Sequence, residues 1–398
     1  MKLFIKMIQM IKKKKVSVIT GSRADYGILS YFLKNLQKSK HFDLRLIVTC
    51  MHLMPKYGNT YREIVKDKVK IYKKIKLPLK SDKILDISKA TGFGIIKYTQ
   101  ELSKIKPDFV IILGDRFEAL AFSIASLFLK IPIVHIHGGE STAAVIDDSI
   151  RHSITKMSNI HFTSNKFYKE RIINMGENPK NIYTLGSLAL ENMNKVKFFS
   201  KKEVEKLLNF KFGKRNLIIT LHPETLGNKD LINNLGLILE KLENFKDIKI
   251  IFTMPNIDMG NLEILNKIKK FVKKNKTKSL LIKSMGQRLY FSTLKHVDVV
   301  IGNSSSGIVE APSFKIPTIN LGKRQSGRLK SRSIINCSFD SLKFESALKK
   351  SLSKSFKRKV IKFKNPYFKP NTIKNMLKIL KKIKFKNSTQ KLFYAKKN

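Results

Sequence analysis

Short apolar runs recur along this chain, separated by longer amphipathic segments, and that alternation constrains the fold more than any other feature. A continuous apolar run of four to eight residues suits a strand covered on both faces, and the amphipathic spacers suit the helices that cover it. "KVSVIT" (15–20), "FDLRLIVT" (42–49), "DFVIILG" (108–114), "IPIVHIH" (131–137), "IHFTS" (160–164) and "NIYTLGS" (181–187) form one series. "NLIITLH" (216–222), "IKIIFTM" (248–254), "SLLIKS" (279–284), "VDVVIGN" (297–303) and "IPTINLG" (316–322), read as the last strand, form a second. Helices are expected from about Tyr26, after "GDR", up to Met157, and over 167–176, 229–244, 262–274 and 286–295. The fold class is α/β with mostly parallel sheets. The charged, strand-free stretch 188–213 marks a boundary. The expected organisation is therefore a first domain over 1–187, a second over 188–370, and a basic helix or tail over 371–398.

At 398 residues the chain has room for two cores. Its formal charge of +51 invites a nucleic-acid reading. Lysine is spread along the whole chain, however, without a zinc-finger, RNP or basic-zipper pattern. A compositional bias accounts for the charge, and no nucleic-acid partner is expected. Cys50 and Cys337 fit neither a metal spacing nor a disulfide framework, which predicts a reduced, cytoplasmic protein. The opening "MKLFIKMIQMIKKKK" lacks a signal-peptide pattern, and no run approaches a membrane span, so no membrane partner is expected.

Ligands of open parallel sheets bind at the carboxyl ends of the strands. Six polar loops fall at such ends: "GSRADYG", "GDR", "HGGE", "HPET", "PNID" and "GNSSSG". In "GNSSSGIVEAPSF" (302–314), backbone N–H groups with Ser304, Ser305, Ser306 and Gly307 can converge on a phosphate, and Glu310 can accept from ribose hydroxyls. A helix N-cap would need only one of those serines. Arg23 suits a second grip on a diphosphate. Neither the Walker lysine nor a full GxGxxG occurs, so a P-loop and a nicotinamide site are unsupported. Asp115 either caps the helix after "GDR" or serves chemistry. One of Asp147 and Asp148 is expected to cap the helix holding Arg151, which leaves the other, with Glu140, for function. Crowded carboxylates raise one another's pKa and so divide into acid and base. His135 and His137 flank Ile136 at a strand end without completing a metal ligand set, so no metal is expected. His222 ends a buried strand and can face a phosphate or sugar.

Taken together, "SVITGSRADYG", "GDRFEALA", "HIHGGE…IDDSIRHSITKMS", "PNIDMG" and "GNSSSGIVEAPSFKIPTINLGKRQSGR" resemble the hydrolysing UDP-N-acetylglucosamine 2-epimerases, from about Lys15 to Cys337. The resemblance implies a GT-B-type arrangement of two Rossmann-like domains with a cleft between them. It also implies conversion of UDP-N-acetylglucosamine and water to N-acetylmannosamine and UDP for sialic acid synthesis. The route is loss of the C2 proton with departure of the diphosphate, then hydration of a 2-acetamidoglucal. Relatives act on GDP-linked N,N'-diacetylbacillosamine for legionaminic acid. No cofactor is implied, and a homo-oligomer, dimer or tetramer, is expected. By this resemblance Asp115, Glu140 and Asp147 occupy the segments of the catalytic carboxylates, while Arg23, His222 and the Ser304–Ser306 loop stabilise the leaving diphosphate. Ser304, Ser305 and Glu310 hold the nucleotide, with Arg324 and Arg328 nearby and Asn256 and Asp258 along the second domain's wall. One departure stands out: several members carry glutamate where this chain has His137, so Glu140 or His137 itself takes over that proton transfer. A glycosyltransferase of the same architecture would need an acceptor and should not release free sugar.

Overall fold

Each apolar run becomes a strand because helices cover both of its faces. The computed structural model describes residues 12–81, 83–143, 146–224, 230–254, 261–385 and 391–395. In chain order the strands are β1 Lys14–Thr20, β2 Phe42–Thr49, β3 Ile71–Ile75, β4 Phe109–Leu113, β5 Ile133–Ile136, β6 Ile160–Thr163 and β7 Ile182–Thr184. They continue as β8 Arg215–Thr220, β9 Ile248–Thr253, β10 Ser279–Ile282, β11 Val299–Gly302, β12 Thr318–Leu321 and β13 Ile334–Cys337. The first seven form one sheet in the order β3-β2-β1-β4-β5-β6-β7, and the other six a second in the order β10-β9-β8-β11-β12-β13. All pairings are parallel.

Alternation within the strands splits each unit's core in two. In the first sheet Val16, Val18, Leu46, Phe109 and Ile111 pack on one face, and Ile19, Ile47, Val110 and Ile112 on the other. In the second, Leu217, Ile219, Ile250 and Ile301 oppose Ile218, Ile251 and Val300. A strand buried this way has no polar face to interrupt its sequence.

Two strands escaped the sequence reading. β3, "IYKKI", and β13, "IINC", which follows the expected last strand, are edge strands of their sheets. One side of an edge strand faces solvent, so lysines and an asparagine are tolerated there and even discourage further pairing.

The chain divides into two compact units that differ from contiguous halves. The first includes the chain up to Gly139, Ile150–Leu188 and the residues from Pro370 on, and the second comprises Glu140–Ser149 and Ala189–Lys369. The C-terminal helix Thr372–Lys382 belongs to the first unit because Ile373, Met376 and Leu380 enter its core. Lys14 Nζ also donates to the Leu380 carbonyl at that helix's end, 3.0 Å away. Among the described residues, no helix is long and apolar enough to cross a membrane.

Strand order reverses between β1 and β4 in the first sheet and between β8 and β11 in the second. Such switch points open a crevice at the carboxyl ends. "GSR" and "GDR" therefore lie side by side in one unit, and "HPE" and "GNSSSG" in the other. Gly302 ends β11 opposite Thr220 of β8 with φ at 129°, and a Cβ there would fall on the Thr220 carbonyl. Gly302→Ala should therefore cost about 2–4 kcal/mol, because backbone rather than a flexible side chain must give way. A urea midpoint within experimental scatter of wild type would refute this.

Candidate active site

In the first unit, β1 runs into Gly21, and Ser22 caps the helix Arg23–Lys38. The Ser22 hydroxyl accepts from Asp25 N–H at 3.3 Å, and the Asp25 carboxylate accepts from Ser22 N–H at 3.0 Å, a reciprocal box that fixes the turn. Arg23, the first helical residue, lies near Glu63. Behind the turn, Glu118 is 2% exposed and accepts from Arg116 at 2.9 Å. Burial, reinforced by the charge on Glu118, pushes the Asp25 carboxyl upward.

Asp115 is not the cap of the next helix. That N-cap is Arg116, which makes no side-chain cap bond to Phe117–Phe128. The Asp115 carboxylate instead pairs with the buried Arg151 guanidinium, whose other terminal nitrogen donates to the His137 carbonyl at 3.0 Å. The arginine thus gathers two of the expected site residues. His137 is buried in left-handed backbone at φ 65°. The neighbouring histidines are structural. His135 bonds the Gly114 carbonyl at 2.8 Å, and burial pushes it down to about 3, so it is neutral. His161 faces Glu177, which also binds Lys156 and Lys391. Among the described residues, no three His, Cys, Asp or Glu side chains are grouped to hold a metal.

In the second unit, Glu140 is 3% exposed at its side chain and pairs with Arg328 at 2.9 Å. The same guanidinium donates to the Ser141 carbonyl at 3.0 Å and the Thr142 hydroxyl at 3.2 Å. All three nitrogens of Arg328 therefore hold the segment 140–142. Asp147 and Asp148 open the helix Asp147–Met157, and Asp148 accepts from Thr142 N–H at 2.7 Å. Both ends of that loop are thereby tied.

The serine loop separates its hydroxyls. Ser304 caps the short helix Ser305–Val309 by accepting from Ser306 N–H, as the single-cap alternative required. Ser305 is exposed. Ser306 bonds the Tyr290 hydroxyl at 2.5 Å and also meets the Glu310 carboxylate, so it faces inward. The three hydroxyls sit in three different settings: a helix cap, the exposed surface and the Tyr290–Glu310 pair. Gly307 packs under Thr318, whose hydroxyl donates to its carbonyl at 3.0 Å.

His222 is buried, and its backbone exchanges two 2.7 Å bonds with the Asn303 side chain. Arg324 donates to the Asn303 carbonyl at 3.1 Å, and Glu224 accepts from the N–H groups of Lys323 and Arg324 at 2.9 and 3.1 Å. "HPE", "GNSSSG" and "GKRQSGR" are thus one bonded assembly. Asn256 and Asp258 lie outside the described residues. Arg151, Tyr290 and Glu224 received no role in the sequence reading. Arg151 stood in the densest polar stretch, but no local pattern marks Tyr290 or Glu224.

The sequence matches the family model described as UDP-N-acetylglucosamine 2-epimerase over residues 34–381. A protein of Campylobacter jejuni subsp. jejuni serotype O:2 named GDP/UDP-N,N'-diacetylbacillosamine 2-epimerase (hydrolyzing) is 39% identical over 348 residues, 87% of this chain and 90% of that protein. Polysialic acid biosynthesis protein P7 of Escherichia coli is 37% identical over 386 residues, 96% and 97% of the two chains. The crystal structure of UDP-GlcNAc 2-epimerase from Neisseria meningitidis bound to UDP-GlcNAc has the same GT-B-like fold. It superposes with a TM-score of 0.78 at 18% identity, covering 92% of this chain and 99% of that one.

Proposed function

The chain belongs to the UDP-N-acetylglucosamine 2-epimerase family, and from that premise we propose that its substrate is GDP- or UDP-linked N,N'-diacetylbacillosamine. It is an enzyme, a hydrolysing nucleotide-sugar 2-epimerase that cleaves a glycosyl–nucleotide bond. The observation that carries the diacetyl sugar over N-acetylglucosamine is the identity with the Campylobacter jejuni protein, whose name specifies that sugar. The first expectation, UDP-N-acetylglucosamine converted to N-acetylmannosamine, is the second reading. The similarity to the polysialic acid protein favours it.

In either case the C2 proton goes to a protein base, and the C1–O bond breaks with its electron pair on the departing diphosphate. Water then supplies hydroxide to C1, and a proton returns to the opposite face of C2. The products are the C2-inverted sugar and a nucleoside diphosphate. Asp115, Glu140, Asp147 and His137 are the proposed proton-transfer groups. Arg23, His222, Arg324 and the Ser304–Gly307 loop are the proposed partners of the diphosphate, and Glu310 that of the ribose. Support comes from the placement of Arg23, Asp115, His222 and the Ser304–Gly307 loop at the two switch points, where open parallel sheets bind ligands, with His137 and Arg324 after the adjoining strands β5 and β12. Within this reading the protein works as a cytoplasmic homo-oligomer. Two free, buried cysteines and the exposed apolar side chains of Ile84, Leu85 and Ile96 on the helix Ile84–Ile105 support that part.

The test is a panel of UDP- and GDP-linked sugars, with the released monosaccharide identified and solvent deuterium followed at C2. The diacetyl substrates should exceed UDP-N-acetylglucosamine in kcat/KM by about tenfold or more, the value of one well-used polar contact. A preference for UDP-N-acetylglucosamine would refute the sugar assignment. Product without deuterium at C2 would refute the elimination route.

A further inference from the structure

In the second unit a chain of hydroxyls stands behind Glu310, the proposed partner of the ribose. Tyr290, on the helix Gly286–Leu294, places its hydroxyl 2.5 Å from Ser306 Oγ. Ser306 in turn bonds the Glu310 carboxylate, and Glu310 N–H donates to the Ser306 carbonyl at 2.9 Å. Glu310 Oε2 is shielded from solvent and has no hydrogen-bond partner among the described residues. A buried carboxylate oxygen without a donor is costly unless a ligand supplies one.

We propose that Tyr290 and Ser306 form a relay that positions Glu310, tying one carboxylate oxygen and presenting Oε2 to a ribose hydroxyl of the nucleotide. The inference rests on the nucleotide-sugar reading and names two positioning residues within it. An ionised carboxylate only accepts. Ser306 must then donate to Glu310, and its own oxygen is free to accept from Tyr290. The ordered sequence Tyr290 to Ser306 to Glu310 therefore stabilises the anion. Burial opposes this and pushes Glu310 up to about 7, so the free protein is partly protonated at neutral pH. Of the charged groups facing Glu310, Arg328 favours ionisation, whereas Glu140 opposes it. A ribose hydroxyl donating to Oε2 makes a stronger bond to the anion than to the neutral acid, so binding lowers the pKa and releases protons to solvent.

The sign follows from linkage: affinity is independent of pH well above 7 and falls below it, by up to about tenfold per unit. The experiment is calorimetric titration with UDP and with GDP from pH 5.5 to 8.5 on wild type, Tyr290→Phe, Ser306→Ala and Glu310→Gln. The terminal phosphate of the probe titrates identically for all four proteins and cancels in the comparison. Wild type should lose affinity on acidification relative to Glu310→Gln. Tyr290→Phe and Ser306→Ala should both move the midpoint of that loss upward by about half a unit or more, and weaken binding at pH 7 by about 3–10-fold. A Tyr290 that only packs would weaken binding evenly at every pH. Normal binding with coincident midpoints, in either variant, overturns the relay alone. Failure of wild type to bind either diphosphate overturns the nucleotide reading and the relay with it. Ser306→Ala, the smaller change, carries the test should Tyr290→Phe not fold.

Discussion

Asp115→Asn is expected to reduce kcat by about 10²-fold or more while nucleoside diphosphate binding persists, because groups that transfer protons contribute at least that much. Asparagine keeps an oxygen for Arg151 but cannot take or give the proton. Some stability should go too, about 1–3 kcal/mol, since a charge-assisted bond becomes a neutral one. Arg151→Met should be worse for the fold. Arg151 is 5% exposed at its side chain, and its loss takes the counter-charge from Asp115 and a donor from the His137 carbonyl. Breaking a buried pair from one side costs about 3–5 kcal/mol. Activity and urea unfolding on both variants separate the two effects. Asp115→Asn activity within about threefold of wild type would remove Asp115 from the chemistry.

The second large effect is expected at Arg328. Sequence reasoning placed it near the nucleotide, yet its three nitrogens bind Glu140, the Ser141 carbonyl and the Thr142 hydroxyl. Arg328→Met should lower kcat by about 10²-fold with a smaller change in diphosphate affinity, because Glu140 loses both its counter-charge and its orientation. Lysine is a poor substitute, since one ammonium cannot reproduce a planar fork on three acceptors. Glu140→Gln alone should also impair turnover, and the double variant should be little worse than the more damaged single one. Coupling of about 0.5–3 kcal/mol in that cycle identifies residues acting as a unit. Strict additivity, or a loss confined to diphosphate affinity, would place Arg328 on the ligand instead.

How much was legible depended on the range of the cause. The eleven expected strands each answer to local alternation and burial, which a short window of sequence records. The six polar loops were legible for the same reason, as each is a short polar run directly after an apolar one. The edge strands were not, because exposure on one side removes the apolar signature, as "IYKKI" shows. Hydroxyl and carboxylate roles were legible only as inventories. Three serines in a row predict a polar turn, but not that one caps, one faces solvent and one meets Tyr290.

From the sequence alone came the α/β class, the polar strand ends and the resemblance to a hydrolysing epimerase family, since all of these are written in neighbouring residues. Tertiary structure alone decided the partners. Asp115 meets Arg151 36 positions away, and Arg328 reaches Ser141 across 187. It also decided that the C-terminal helix joins the first unit and that the segment 140–149 joins the second. Ion pairs and buried hydroxyl relays depend on where the sheets bring distant strand ends, and desolvation there sets their strength. No short window of sequence contains that information.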